Sequence, residues 1–293
     1  MNNQKILIID GTYLVFKSYY GTLYSNQKLE TSTGMKTNAI VGFFNTFFKL
    51  LRNYSPDSVY FCFDANAKTF RHDMYQDYKA QRAKAPEDFY IQLVQIKDLL
   101  QLLNIPMLEK PGYEADDIVA TLTKKFQDDN YVLLFSADQD LNQLINNRVA
   151  ILKPKNKNLF VLNQNNFYEV YGFHPHNVVD IKALMGDASD NFKGIKGVGP
   201  KTAIKLIEEF GSLESIFNNF EKLDKKYQQK FLEYKEEVLR NKYLAQLRYD
   251  VPLNQEDYLN KKLNIIIGSK AEKMLEELEL KQIKSKLKEF EAN

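Results

Sequence analysis

Apolar residues follow two different rhythms along the chain. In the first half, short runs rich in β-branched and aromatic residues predict buried strands: "KILII" (5–9), "SVYFCF" (58–63) and "YVLLF" (131–135). Between them, apolar residues at helical spacing predict helices over "AIVGFFNTFFKLLRNY" (39–54) and "FYIQLVQIKDLLQLLN" (89–104). Strands alternating with helices imply an α/β fold with a mainly parallel sheet covered on both faces. "VAIL" (149–152) and "LFVL" (159–162), separated by "KPKNKN", predict a further strand pair around a polar turn.

From about Asn177 the pattern changes to helices with short loops. "VVDIKALMG" (178–186) predicts one helix. "PKTAIKLIEEFG" (200–211) predicts a better-defined one, with Pro200 at its first position and Gly211 just past its end. The segments 221–247 and 270–291 read as charged amphipathic helices whose lysines and glutamates form solvated faces. No tandem repeat or long flexible linker interrupts the chain. Two parts that pack together are expected, 1–176 and 177–293.

Composition adds little about partners. The 293 residues include 40 basic and 38 acidic side chains, a net charge of only +2, so distribution matters more than total. An apolar fraction of 44% supports a substantial core and argues against wholesale disorder. The one cysteine, Cys62, sits inside an apolar run and reads as a small core residue. The three histidines, His72, His174 and His176, form no zinc pattern. No signal peptide is legible, and no apolar run approaches the ~18 residues that span a bilayer. A soluble cytoplasmic protein is expected.

Acids supply the candidate chemistry. Asp10 ends the first predicted strand and Asp64 follows the second. Asp138 and Asp140 come just after the third, and Glu114, Asp116 and Asp117 open the helix "YEADDIVATLTKKF". Parallel strands present their C-termini at one edge, where ligands normally bind, so these acids are expected to converge. Asp187 and Asp190, in "GDASDN", form a further cluster between the two parts. Taken singly, each cluster has a bland reading. Asp10 and Asp64 suit caps or turns, the Glu114 cluster complements a helix dipole, and "GDASDN" suits a loop. Gathered together, so many carboxylates would repel one another unless cations neutralised them. Oxygen-only donors favour Mg²⁺ or Mn²⁺, and such a cage suits two-metal phosphodiester cleavage. "IIDGT" also invites a phosphoaspartate reading, but the D-x-D-G-T nucleophile position is Ile8.

Two basic stretches accompany the acids. "KGIKGVGPKTAIK" (193–205) carries Lys193, Lys196, Lys201 and Lys205 and no acid. Its Gly197-Val198-Gly199 turn, with Thr202 in the helix that follows, lets backbone approach a phosphate at a helix N-terminus. Such a hairpin grips a duplex backbone without reading bases. "AKTFRHDMYQDYKAQRAK" (67–84) interleaves Lys68, Arg71, Lys79, Arg82 and Lys84 with Phe70, Tyr75 and Tyr78. That mixture suits a single strand; an amphipathic helix with its aromatics in the core is the alternative.

In this order, "ILIIDGTYLVFKSYY", "FCFDANAKTFRHDMYQDYKAQR", "GYEADDIVATL", "SADQDLNQLI" and "ALMGDASDNFKGIKGVGPKTAIKLI" resemble the 5′-nuclease family. That family comprises the flap endonucleases and the 5′→3′ exonuclease domain of bacterial DNA polymerase I, and the resemblance covers nearly the whole chain. It implies a PIN-like α/β domain over 1–176, with a helical arch or clamp at about 66–100. A helix-three-turn-helix (helix-hairpin-helix type) DNA-binding subdomain and C-terminal helices would follow over 177–293. It implies one metal site from Asp10, Asp64, Glu114 and Asp116. A second would use Asp138, Asp140, Asp187 and Asp190, with Asp117 nearby, for two Mg²⁺ or Mn²⁺ ions. Lys79 and Arg82 fall on the basic "YK..R" positions where the lysine positions the scissile phosphate; Arg71 and Tyr78 join the DNA contacts. Gly197 and Gly199 fall on the hairpin turn that in relatives also holds K⁺. Lys17 stands where many relatives have arginine, keeping the charge without the bidentate fork.

The activity implied is hydrolysis of DNA near 5′ ends, at flaps, nicks or RNA–DNA junctions, in primer removal and repair. A monomer is expected, with a separate DNA polymerase and ligase acting at the same sites. The chain ends where the family's polymerase module would begin, so a nuclease without that module is expected, either stand-alone or a fragment. A PIN-type ribonuclease, a non-catalytic structure-specific DNA-binding protein and a hydrolase of small phosphate esters are the rivals.

Overall fold

The computed structural model describes residues 3–23, 29–156, 158–259 and 261–291. It begins with β1 (Lys5–Asp10), α1 (Gly11–Leu23), α2 (Asn38–Tyr54) and β2 (Ser58–Phe63). Next come α3 (Phe70–Met74), α4 (Glu87–Leu102), β3 (Met107–Glu109), α5 (Ala115–Phe126) and β4 (Tyr131–Phe135). β5 (Val149–Lys155) and β6 (Asn158–Leu162) complete a six-stranded sheet of order β3-β2-β1-β4-β5-β6. Its first five strands are parallel and β6 is antiparallel to β5, so the sheet is mainly parallel as expected. Of the polar turn joining β5 and β6, Lys157 lies outside the described residues.

Both faces of the sheet are covered, which explains why the strands read as continuous apolar runs. Successive side chains of β1 point to opposite faces. Leu7 and Ile9 join a core with α1, α2 and α4, while Ile6 and Ile8 join one with α5. Cys62 is buried in the second core.

α6 (Gln164–Tyr171) and α7 (Val178–Met185) lead to a short antiparallel pair, β7 (Gly186–Asp187) and β8 (Phe192–Lys193). α8 (Pro200–Phe210), α9 (Leu213–Asn218), α10 (Lys225–Glu233) and α11 (Lys235–Ala245) surround a third core of Ile181, Leu184, Leu206, Ile207 and Phe231. The pair β7–β8 holds the "GDASDN" loop closed. Gly186 has φ +79°, and a Cβ on it would meet Gly194 N at 2.3 Å, so the loop base admits no side chain there.

The last helices, α12 (Ser269–Glu277) and α13 (Lys281–Lys288), do not stay with the helical part. Leu275, Ile283 and Leu287 pack into the first core beside α2 and α4. Their expected polar faces are solvated, but their apolar stripes return to the sheet domain. The 66–100 stretch expected as an arch holds α3, turns over 76–81 and most of α4. α4 belongs to the core through Phe89, Ile96, Leu99 and Leu100. Among the described residues, no helix is long and apolar enough to cross a membrane.

Candidate metal centre and its basic surround

Asp10 ends β1 at the C-terminal edge of the sheet, and its cap reading is realised. Its Oδ1 accepts from Tyr13 N–H at 2.9 Å, capping α1, while its Oδ2 accepts from Ser136 Oγ at 2.9 Å. Ser136 Oγ in turn accepts from Asp138 N–H at 3.0 Å, tying the ends of β1 and β4 together. Asp64, after β2, accepts from Ala115 N–H at 2.8 Å and so fixes the start of α5. That helix carries Asp116, whose Oδ1 is buried without a hydrogen-bond partner.

These acids press on one another. Burial pushes Asp10 up to about 7, and the nearby Asp64 and Asp138 add to the rise. Burial also pushes Asp116 well up, reinforced by Asp138, Asp10, Asp140 and Asp64. Asp140 rises to about 6, mainly through burial, although Lys182 opposes the change.

On the other side of the cleft, carboxylates meet cations. Lys182 of α7 is hydrogen-bonded to Asp140, lies 2.5 Å from Asp187 Oδ2 and is 3.7 Å from Asp190 Oδ2. Lys79 Nζ donates to Glu114 Oε1 at 2.7 Å, and Arg82 Nη2 donates to Asp190 Oδ1 at 2.9 Å. Burial alone would raise Glu114, but Lys79 and Arg71 outweigh it and hold the carboxyl below its ordinary value. Asp187 is likewise held down by Lys182 against its burial.

Among the described residues, no three carboxylate, imidazole or thiol groups already converge closely enough to hold one ion. Lys182, Lys79 and Arg82 stand between the acids of the second side. The donor set nevertheless fits a hard divalent cation. It is oxygen-only, it includes the unpartnered Asp116 Oδ1, and Asp138, Asp10, Asp140 and Asp64 all repel the buried Asp116.

Three predicted site residues require correction. Arg71, expected at DNA, is only 1% exposed; its guanidinium makes a bidentate pair with Asp117 at 2.7 and 2.8 Å and donates to Leu244 O. Asp117, expected among the metal acids, also accepts from Glu114 N–H and Arg248 N–H, which leaves it a structural clasp. Tyr78, expected to stack on a strand, is 2% exposed, its hydroxyl 3.2 Å from Glu114 Oε2 and 3.3 Å from Asp190 Oδ2. An aromatic and an arginine near an acid can serve the interior as well as a ligand, and here burial decides.

Lys17 lies on the exposed side of α1, beside Lys49 of α2; partial burial and that neighbour lower its pKa. In the hairpin, Lys193, Lys196, Gly197, Gly199 and Lys201 are exposed and Thr202 half-buried, while Val198 anchors the turn in the third core. Gly197 has φ +80°, and Lys230 of α10 donates to Lys196 O at 2.7 Å across the turn. A cavity of about 590 Å³ joins the two regions, bordered by Asp138, Asp140, Lys182 and Asp187 and by Pro200 and Ile204 of the hairpin helix.

Sequence reasoning missed Lys182, Lys153 and Ser136. Lys153 of β5 donates to Asp138 O at 2.5 Å, and burial brings it down to about 8 against the pull of the acids. The available signal was position: Lys182 stands inside an apolar helix one turn before Gly186-Asp187, where a solvated lysine is out of place.

Residues 5–172 match the family described as "5′-3′ exonuclease, N-terminal resolvase-like domain", and 173–265 match "5′-3′ exonuclease, C-terminal SAM fold". A 5′-3′ exonuclease of Aquifex aeolicus is 39% identical over 282 residues, covering 95% of this chain and 93% of its own. The thermostable DNA polymerase I of Thermus thermophilus is 40% identical over 251 residues, 85% of this chain but only 29% of that protein. Among solved structures, T5 5′-exonuclease with bound divalent metal ions (zinc) superposes with a TM-score of 0.66 at 25% identity, over 83% of this chain and 89% of that one.

Proposed function

The chain belongs to the 5′-3′ exonuclease family, and on that premise we propose that its acidic edge binds two Mg²⁺ or Mn²⁺ ions and hydrolyses phosphodiesters near DNA 5′ ends. The observation that carries this reading is the crowding of Asp10, Asp64, Asp116, Asp138 and Asp140, from separate segments, around the unpartnered Asp116 Oδ1. Asp10, Asp64, Glu114 and Asp116 would hold one ion, and Asp138, Asp140, Asp187 and Asp190 the other. Bound divalent ions would activate water and neutralise charge on the leaving oxygen.

The remaining chemistry falls to the chain itself. Lys79 and Arg82, now paired with Glu114 and Asp190, are close enough to the acids to transfer to a scissile phosphate. Lys17 adds charge on α1. Lys193, Lys196, Lys201 and Thr202, with the Gly197–Gly199 backbone, would grip duplex phosphates across the cavity from the acids. At the hairpin, where K⁺ would sit against backbone carbonyls, the Lys196 carbonyl accepts from Lys230. In this reading the catalytic part is 1–176, the substrates are flaps, nicks and RNA–DNA junctions in the cytoplasm, and a monomer works alongside a separate polymerase and ligase.

A labelled 5′ flap incubated with and without Mg²⁺ tests the proposal. Short 5′-phosphorylated products should form only with the metal. Asp64→Asn should abolish them while leaving the circular-dichroism spectrum intact; full activity in that variant would refute the reading.

A further inference from the structure

Lys182 is a buried cation of the cleft, 8% exposed on a helix whose neighbours Ile181, Ala183 and Leu184 are buried in the helical core. Its ammonium faces three carboxylates from two separate stretches: Asp140 after β4, and Asp187 and Asp190 in the closed loop. The ring of Phe192 lies 5.9 Å away on another side. Those three acids belong to the group assigned above to one divalent ion. An ammonium and a divalent cation compete for the same oxygens, and both cannot sit among them.

We propose that Lys182 is an internal counter-cation that holds Asp140, Asp187 and Asp190 together in the metal-free chain and leaves them when a divalent ion binds. It is a positioning residue, and the inference rests on reading these acids as metal ligands. The geometry provides for both states. Without an ion, three buried carboxylates would repel, and the ammonium removes that cost. With an ion, the flexible four-carbon stem can turn into the adjoining cavity of about 590 Å³, which Lys182 itself lines. Loading the second site is therefore an exchange at three of its acids, whereas in the first site Glu114 alone is ion-paired, and Asp10, Asp64 and Asp116 have no such cation to displace. The first group should fill before the second.

The test measures Mn²⁺ binding by calorimetry, and melting with and without Mn²⁺, for the full chain and for Lys182→Met, Lys182→Gln and Lys182→Arg. The Met and Gln variants should melt lower in chelator, bind the second ion about tenfold tighter and gain more from Mn²⁺. The Arg variant, retaining the charge, should keep the weak second site. A purely structural or phosphate-binding lysine would give no tightening. Unchanged or weaker second-ion binding in both neutral variants, with the first ion still bound, would overturn the proposal alone. Absence of any Mn²⁺ binding in the unaltered chain would overturn the reading of the acids as well.

Discussion

The two sides of the cleft treat the same residue type in opposite ways. Around Asp10, Asp64, Asp116 and Asp138, no lysine or arginine side chain among the described residues comes within ion-pair distance of a carboxylate. Around Glu114, Asp187 and Asp190, Lys79, Arg82 and Lys182 do. Burial, reinforced by neighbouring acids, pushes Asp10 and Asp116 up, while Glu114 and Asp187 are held down by their cations against their burial. Asp140 stands between, touching Lys182 yet crowded by Asp138. The lesson is that a count of acids does not define a site. One side stores repulsion that an added cation relieves, and the other is already neutralised by its own chain.

Removing the stored repulsion should break the comparison most sharply. Asp116→Asn should cost about a thousandfold or more in metal-dependent cleavage of a labelled flap. In chelator the same change should raise the melting temperature, by about 2–4 °C for each kcal/mol of repulsion relieved. A lower melting temperature would mean that Asp116 is held by something other than strain. Arg71→Met probes the opposite extreme, a buried pair with no role at the substrate. It should cost about 3–5 kcal/mol in urea unfolding, because Asp117 is left charged and unpaired in the interior. A variant that keeps its stability but loses DNA binding would return Arg71 to the surface role its sequence suggests.

The smallest effect is in pH. Asp10 has a folded pKa raised to about 7, so its protonated form is favoured in the folded chain. In chelator its contribution to stability is fully present below the unfolded value, about 4, and is lost as pH rises toward 7. Asp187 and Glu114 have depressed values, so their contribution is present above the ordinary carboxylate range and lost as pH falls below it. Melting in chelator should therefore peak in mildly acidic solution, and added Mg²⁺ should shift that peak toward neutral pH. A metal-free curve already flat to neutral pH would deny the repulsion.

Much of this arrangement was legible in the chain. β1, β2 and β4 announce themselves as apolar runs because both faces of a parallel sheet are buried, and their trailing aspartates follow from strand polarity. Pro200 and Gly211 mark α8 because their backbone preferences are local. The rest depends on tertiary neighbours. An amphipathic stripe shows that α12 and α13 bury one face, but not that Leu275 and Leu287 bury it against α2 and α4. A charge shows that Arg71 wants a partner, but not that Asp117 waits for it inside. Lys182 could be flagged as out of place in an apolar helix, yet its three partners are brought to it only by the closing of β7 on β8.

Divalent ions binding among the edge acids would scatter anomalously in crystals soaked in Mn²⁺. A strong peak should appear among Asp10, Asp64 and Asp116 at low Mn²⁺. A second should appear near Asp140, Asp187 and Asp190 at higher concentration, with the Lys182 side chain moved away. Saturated soaks with no peak at the edge acids, or with peaks only elsewhere on the molecule, would contradict metal binding there.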